Sequence, residues 1–441
     1  MQLDEALFYL KKQASTEADA FDSIASFDSS DGLSVFQGKV KETEISNSVG
    51  IGIRVFKNKC PGYAYTERLT KEAIDLMIKD AVSHTAFTKP LDIDLPSPEN
   101  EIHETALYHP ETENYSLDAM KTLCLDIESR VLKDKAIENV PYLGAGRSSS
   151  AFYLINSNGV FVSRKSSSLS AGAGAVACLN GVKKIGSYSQ VVFDGNDFDA
   201  EKIASKTIEK AKALLGAKSI SSGVYPVLFS EEVSASVFSM FSSIFSAETV
   251  QKGNSKLKGK LNQTIASPVV SILNAPNRKD LPGYTSFDGE GVLTYDFEIV
   301  QNGILKSFLY NLETASIDKV ESTGSAIRSY SGAASCGFRN FVVPLGKQST
   351  EDLFQSAPEM LYITKLEGSS GCSSVSGELS IGAQGFFVKN GSIAYPVEGL
   401  TLNTNFFDLL KNITAFGNVY RESYSAIQVP PFLVSEITVS N

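Results

Sequence analysis

Residues 150–177 read SAFYLINSNGVFVSRKSSSLSAGAGAVA. Two runs rich in β-branched and aromatic residues flank Asn158-Gly159, a pair that accepts the left-handed backbone of a tight two-residue turn. The stretch predicts an antiparallel hairpin. Upstream lie further strand candidates, GLSVFQGKVKETEIS (32–46) and VGIGIRVF (49–56). Helices alternate with them. In TKEAIDLMIKDAVSHTAF (70–87), Ile74, Met77, Ile78, Ala81 and Val82 fall on one helical stripe, with Thr70 as N-cap. In SLDAMKTLCLDIESRVL (116–132) the stripe is Leu117, Met120, Cys124, Ile127 and Val131. A third helix, around Ala200 to Leu215, stops at Gly216. Helix followed by strand meander occurs twice, which predicts an antiparallel α+β domain rather than a parallel wound sheet.

A chain of 441 residues is too long for one ordinary core, so two domains are expected. LLGAKSISSGVYPV (214–227) supplies a glycine- and serine-rich joint, which places the domains at 1–219 and 220–441. Beyond the joint, one apolar helix, VSASVFSMFSSIFSAETV (233–250), leads into β-rich sequence. GVLTYDFEIVQNGILKSFLYN (291–311) reads as two strands about Asn302-Gly303, and GAQGFFVKNGSIAYPV (382–397) as two about Asn390-Gly391. A helix, NFFDLLKNITAFG (405–417), and an apolar strand, FLVSEITVS (432–440), follow. The expectation is a second domain built on a curved or barrel-like sheet.

The net charge of −10 disfavours a nucleic-acid partner, which would require a basic face. Lys256, Lys258 and Lys260 are read as a solvated loop. No stretch approaches the ~18 apolar residues of a membrane helix, and MQLDEALFYLKKQ (1–13) reads as an amphipathic helix without a signal-peptide core. The five cysteines, Cys60, Cys124, Cys178, Cys336 and Cys372, form no C-x-x-C pair. Reduced thiols in a cytoplasmic protein are expected.

EIHETALYHP (101–110) imitates a zinc site. A zincin helix places its histidines four apart so that both reach one ion. His103 and His109 are six apart. On a helix they would diverge by ~240°, and on a strand they would lie roughly 20 Å apart. The segment is read as a loop or short strand, not a metal centre. No G-x-S-x-G elbow and no phosphate loop occurs, and no histidine follows His109. Asp288 and Glu290 in SFDGEGV (286–292) could act as acid and base, but are read first as turn residues.

A series of segments then falls into a known order: AETVQKGNSKLKGKLNQTIASP (247–268), TSFDGEGV (285–292), NGILKSFLYNLETA (302–315), STGSAIR (322–328), LYITKLEG (361–368), SGELSIGAQGFFVKNGSIAYPVEGLTL (376–402) and DLLKNITAFGN (408–418). With VGIGIRVFKNKCPGYAYTERLTKEAIDLMIKDA (49–81), they resemble the TldD/PmbA family over nearly the whole chain. TldD-type members carry H-E-x-x-x-H on the helix opening the second domain and a cysteine near the C-terminus. Here the histidine positions fall on Ser239 and Ile244 and the glutamate on Met240. No cysteine follows Cys372, and NVYRESYSAIQ (418–428) stands near the missing ligand. This resembles the TldE/PmbA pattern, in which the metal positions are lost together.

On that helix Val237, Met240, Phe241, Ile244 and Phe245 form an apolar stripe for burial, while Ser239, Ser242, Ser243 and Ser246 line the other side. Ser243, Ser255, Asp288 and Glu290 are the candidate peptide-cavity residues. The resemblance implies a non-catalytic subunit with no cofactor of its own. It would pair with a zinc-bearing TldD metallopeptidase that acts on unfolded or leader-type peptides, and hold peptide as a strand added to a sheet edge. The family's older label is modulator of DNA gyrase. Two alternatives stand beside this reading: a stand-alone peptide-binding or scaffold homodimer, and a hydrolase using carboxylates or Ser255, with Lys252 or Lys256 as base. SSGCSSVSGELSIGA (369–383) departs from the family pattern, and LNQTIAS has Asn262 where a glycine is common.

Overall fold

The hairpin about Asn158-Gly159 forms at the heart of the first sheet, but its last pair is Ile155 with Phe161 and only Gly159 has positive φ, +99°, so the turn is longer than two residues. The computed structural model describes residues 1–98 and 101–441. Strands β1 (Ala20–Phe36), β2 (Lys39–Lys57), β3 (Cys60–Thr66), β4 (Ile102–Leu107), β5 (Ile137–Asn156), β6 (Phe161–Leu179) and β7 (Val182–Val192) form it. Among the described residues their order is β3-β2-β1-β5-β6-β4, with β7 also on β6. Every pairing is antiparallel except β4 with β6.

Side chains alternate between the faces of a strand, and the sequence uses this unequally. One face of β1 carries Phe21 and Ala25, which pack on α1 (Leu3–Glu17) and α2 (Lys71–His84). Farther along, Leu33 and Val35 of that face pack on α3 (Leu117–Val131) and α4 (Ala200–Lys212). The predicted stripes are buried at Ile74, Met77, Ile78 and Ala81, and at Met120, Cys124, Ile127 and Val131. Val82 and Leu117 are half-buried at the rims. Thr70 Oγ1 accepts from the Ala73 N–H at 3.3 Å and caps α2 as expected. The third helix ends at Lys212, and Gly216 completes the turn at φ +75°.

Among the described residues α1–α4 all pack on that face, and the opposite face of the sheet is free of these four. Gly52 of β2 faces that way, and a Cβ there would stand 1.7 Å from the carbonyl oxygen of Tyr330. The glycine lets a C-terminal segment lie directly on the first sheet.

The second half closes into a barrel. β8 (Gly223–Phe229) pairs in parallel with Glu359–Ser373, which leads antiparallel to Glu378–Lys389 and Ser392–Asn405. The last strand, Phe432–Ser440, pairs with both Ser392–Asn405 and β8, so five strands close on themselves among the described residues. The asparagines and glycines of Asn302-Gly303 and Asn390-Gly391 all have positive φ, between 48° and 80°, as a two-residue hairpin turn requires. One apolar core runs from Ile220 to Val439.

The helix expected over 233–250 does not run unbroken. α5 (Glu231–Phe241) stops, a 3-10 turn spans Ser242–Phe245, and α6 (Ala247–Gln251) starts anew. Val237, Phe241, Ile244 and Phe245 are buried as predicted, but Met240 is only half-buried and Phe238 takes its place. Phe238 meets the rings of Phe341, Phe406 and Phe432, and Phe241 stacks on Phe406 at 4.3 Å. Tertiary aromatic packing thus decides the helical phase. No helix among the described residues is long and apolar enough to cross a membrane.

Candidate functional site

Four short polar runs, Asp28-Ser29-Ser30, Ser46-Asn47-Ser48, Ser148-Ser149-Ser150 and Ser166-Ser167-Ser168, lie on four different strands. The pairing register aligns them. Asp28 faces Ser48 on one side and Ser150 on the other, and Ser150 faces Ser166. One rung on, Ser30 stands between Ser46 and Ser148, with Ser148 opposite Ser168. These alternate residues share the face opposite α1–α4 and floor a cleft of about 420 Å³.

The cleft has a wall as well as a floor. Leu107, Pro282 and Tyr424 line it, the last two contributed by the C-terminal half. Tyr424 meets Phe193 edge-on at 5.0 Å, and Phe193 stacks on His109 at 4.3 Å. His109 therefore braces the wall. His103 lies on β4, with Nδ1 2.8 Å from Ser163 Oγ and its ring edge-on to Phe161. The two histidines do not meet at a common point, and among the described residues no three His, Cys, Asp or Glu side chains gather at metal-binding distance.

Hydroxyls both donate and accept, carry no fixed charge, and occupy little space. Across four adjacent strands they present a broad polar surface that an extended backbone can approach whatever its side chains. Besides hydroxyls the cleft presents one carboxylate, Asp28, and its lining residue Ser167 accepts the His109 backbone N–H at 2.8 Å.

A second polar assembly sits where the two halves meet. Arg54 of β2 forms a buried ion pair with Asp22 of β1 and, through Nη1, reaches Glu290 Oε1 at 2.6 Å. Arg328 Nη1 reaches the other oxygen of Asp22 at 2.6 Å. Glu290 Oε2 also accepts the Leu312 N–H at 2.8 Å. Burial alone would raise the Asp22 carboxyl, but the Arg328 and Arg54 guanidinium groups outweigh it and hold it below the usual carboxylate range. Asp288 accepts from the N–H groups of Glu290, Val292 and Ala326 at 2.8–3.0 Å. Burial first and the Glu290 charge second push its carboxyl up to about 7, against those donors.

The sequence-derived candidates distribute differently from expectation. Asp288 and Glu290 are fully buried and Ser255 nearly so, so these three are interior supports rather than cavity lining. The reason is local. The SFDGEGV loop folds under Arg54, and Ser255 Oγ donates to the Ile244 carbonyl at 2.8 Å while accepting from the Leu257 N–H. Lys252 pairs with Glu248 at 2.6 Å and Lys256 lies over the Phe407 ring, so neither serves Ser255 as a base. Ser243 is exposed on the 3-10 turn, outside the serine cleft. Ser239 is exposed, Met240 half-buried and Ile244 fully buried. A hydroxyl, a thioether and a hydrocarbon split across a helix break do not make a zinc ligand set. Sequence reading missed the cleft itself. Its signal was the four polar runs, each unremarkable until strand register aligns them.

Comparison with known proteins follows the same lines. Models of the PmbA/TldA metallopeptidases match three successive stretches: domain 1 over 25–84, the central domain over 110–215 and the C-terminal domain over 222–441. Metalloprotease PmbA of Escherichia coli O157:H7 is 26% identical, covering 99% of this chain and 96% of that protein. The metalloprotease PmbA homologue of Haemophilus influenzae is 27% identical over 91% of this chain and 88% of its own length. A Thermotoga maritima crystal structure, described as a candidate modulator of a DNA gyrase, covers the whole of both chains at 28% identity and a TM-score of 0.89. TldE of Thermococcus kodakarensis, at 21% identity, shares the fold with a TM-score of 0.85 over 99% of this chain and all of that one.

Proposed function

The chain belongs to the PmbA/TldD metallopeptidase family, and from that premise we propose that it is the non-catalytic, TldE-type subunit of a TldD/TldE-type peptidase. One observation carries the reading. The positions matching the TldD metal motif hold Ser239, Met240 and Ile244, and Ile244 is sealed in the barrel core. Restoring a ligand there would require rebuilding that core. Zinc and the hydrolytic step then belong to a TldD-type partner. This chain contributes the serine-floored cleft, which holds an unfolded or leader-type peptide in extended form for that partner.

The hydroxyl floor supports a role in holding peptide without reading its sequence. The five cysteines are all free, which suits a reducing compartment, and we place the protein in the cytoplasm. The test is hydrolysis of an unstructured peptide by this chain alone, by a TldD-type partner alone, and by the mixture. Activity confined to the mixture and abolished by a chelator is the expected result. Hydrolysis by this chain alone would overturn the reading. Peptide binding by the isolated chain with no gain on mixing would favour a stand-alone binding protein instead.

A further inference from the structure

The segment from Gly417 to Gln428 reaches from the second half to the first, and side chains alone tie its middle to the rest of the fold. Both ends are anchored. Gly417 donates its N–H to the Pro431 carbonyl and accepts from the Gly346 N–H, each at 2.7 Å, while Ile427 and Gln428 pair in parallel with Phe341 and Val342. From Asn418 to Tyr424 the one backbone–backbone hydrogen bond among the described residues is local, from the Ser423 N–H to the Arg421 carbonyl at 2.8 Å. Tyr420 donates its hydroxyl to the Val343 carbonyl at 2.8 Å, a tie within the second half. The ties to the first half are ionic and aromatic. Glu422 pairs with Lys202 of α4 and accepts from the Tyr188 hydroxyl of β7 at 3.4 Å. Arg421 pairs with one oxygen of Glu232 of α5 at 3.2 Å, and the other oxygen takes Lys210 of α4 at 2.8 Å. Tyr424 meets Phe193 edge-on.

This strap borders the serine cleft. Tyr424 lines the cleft itself, and Arg421 and Glu422 line a second hollow of about 370 Å³. A third hollow, of about 600 Å³, shares Ser30 and Ser148 with the cleft and Gly144, Gly172 and Ser189 with the second hollow. The three form one trough over the first sheet, and the strap flanks both of its ends. The ties that hold it are open to water: the side chains of Lys202 and Glu422 are 34% and 67% exposed, and those of Arg421 and Glu232 are 44% and 31% exposed. Such pairs hold weakly and are screened by salt. A segment with one local backbone bond and weak side-chain ties belongs to the low-stability end of a structure, where local opening is concentrated. The buried pair of Arg54 and Asp22, by contrast, lies beyond the reach of salt.

We propose that residues 418–426 form a gate on this trough. Its latch is the pair Lys202–Glu422 together with Arg421–Glu232–Lys210, and its hinges are the anchored ends at Gly417 and Ile427. Release of the latch withdraws the Tyr424 wall and admits an extended peptide to the serine floor. The gate rests on the reading of the cleft as a peptide site, whereas the latch does not.

The test uses the full chain without a partner and has two readouts. The first is limited chymotrypsin cleavage after Tyr420 and Tyr424, normalised at each salt concentration to a free peptide of the same sequence. The second is the association and dissociation rates of an uncharged, unstructured peptide blocked at both ends. Cleavage of the wild type should quicken about two- to fivefold between about 0.1 M and about 1 M sodium chloride, over which the screening length falls from ~10 to ~3 Å. Lys202→Gln with Glu232→Gln, which leaves the strap sequence intact, should give a similar gain at low salt, the range that partly exposed ion pairs supply, and should lose the salt response. The charge swap of Lys202→Glu with Glu422→Lys should restore slow cleavage. In the glutamine variant both peptide rates should rise by the same factor as cleavage, leaving Kd within about twofold, as a gate requires and a merely structural tie does not. Cleavage unmoved by salt and by the variant would overturn the latch. Faster cleavage with unchanged peptide rates would overturn the gate. Peptide binding by neither protein, with cleavage still responding, would overturn the peptide reading of the cleft and the gate with it, and support the latch alone.

Discussion

A methyl group at position 52 would collide with the Tyr330 carbonyl oxygen at 1.7 Å, so a single missing Cβ determines whether the C-terminal segment can lie on the first sheet. Gly52→Ala should therefore destabilise the protein by at least ~1–3 kcal/mol, as overpacking does, lowering the urea midpoint. Asp22 and Asp288 set a pH dependence of opposite signs. Asp22, held below its usual range, contributes stability that is present above pH 3.8 and lost as pH falls through its folded value. Asp288, raised from 3.8 to about 7, favours the folded state fully below pH 3.8 and progressively less as pH climbs toward 7. Stability should decline as pH rises from about 4 to 7, and Asp288→Asn should flatten that decline in urea titrations across the range. A slope unchanged in the variant would assign it to other groups. Asn262 shows what a residue can reveal early. It replaces a glycine common in the family, yet takes φ +61°, the left-handed backbone that asparagine tolerates best after glycine.

At the scale of elements, the helices were legible because their signals are local. The periodicities of α2 and α3, the cap at Thr70 and the Asn-Gly turns all depend on neighbours within a few residues. The break after Phe241 was not, because the Phe238 and Phe241 contacts that fix it come from residues about 100 to 190 positions away, beyond any helical period. The cleft is likewise a product of register. Four polar runs become one floor only when β1, β2, β5 and β6 align without a slip. Ser148→Lys, in the middle of that floor, should leave stability within ~0.5 kcal/mol, as exposed substitutions usually do. It should weaken binding of an uncharged extended peptide by about tenfold or more, measured by titration calorimetry. Undiminished binding would move the peptide site elsewhere.

At the scale of the molecule, the two halves are joined by an interior ion-pair assembly rather than by apolar packing alone. Phe287 joins Ile24, Leu154, Val160 and Val162 in a small core beside it. Glu290 is the keystone, since it touches Arg54 from the first half and the Leu312 N–H from the second. Glu290→Gln should cost roughly 3–5 kcal/mol by leaving a buried guanidinium short of its anion. Equilibrium unfolding followed by probes in each half checks this. A midpoint equal to the wild type would show that the junction does not need the charge.

By itself the sequence determined the α+β class, the helices of the first domain, the hairpin turns and the family, because each is written in local pattern or in the order of segments. The resemblance also set Ser239, Met240 and Ile244 at the positions of the TldD metal motif, the expectation on which the proposed non-catalytic role rests. Only the tertiary structure decided that Asp288, Glu290 and Ser255 are interior supports, that His109 braces a wall, and that scattered serines share one floor. The physical reason is that burial and register depend on partners far along the chain: Glu290 meets Arg54 across 236 residues, and no spacing rule spans that distance.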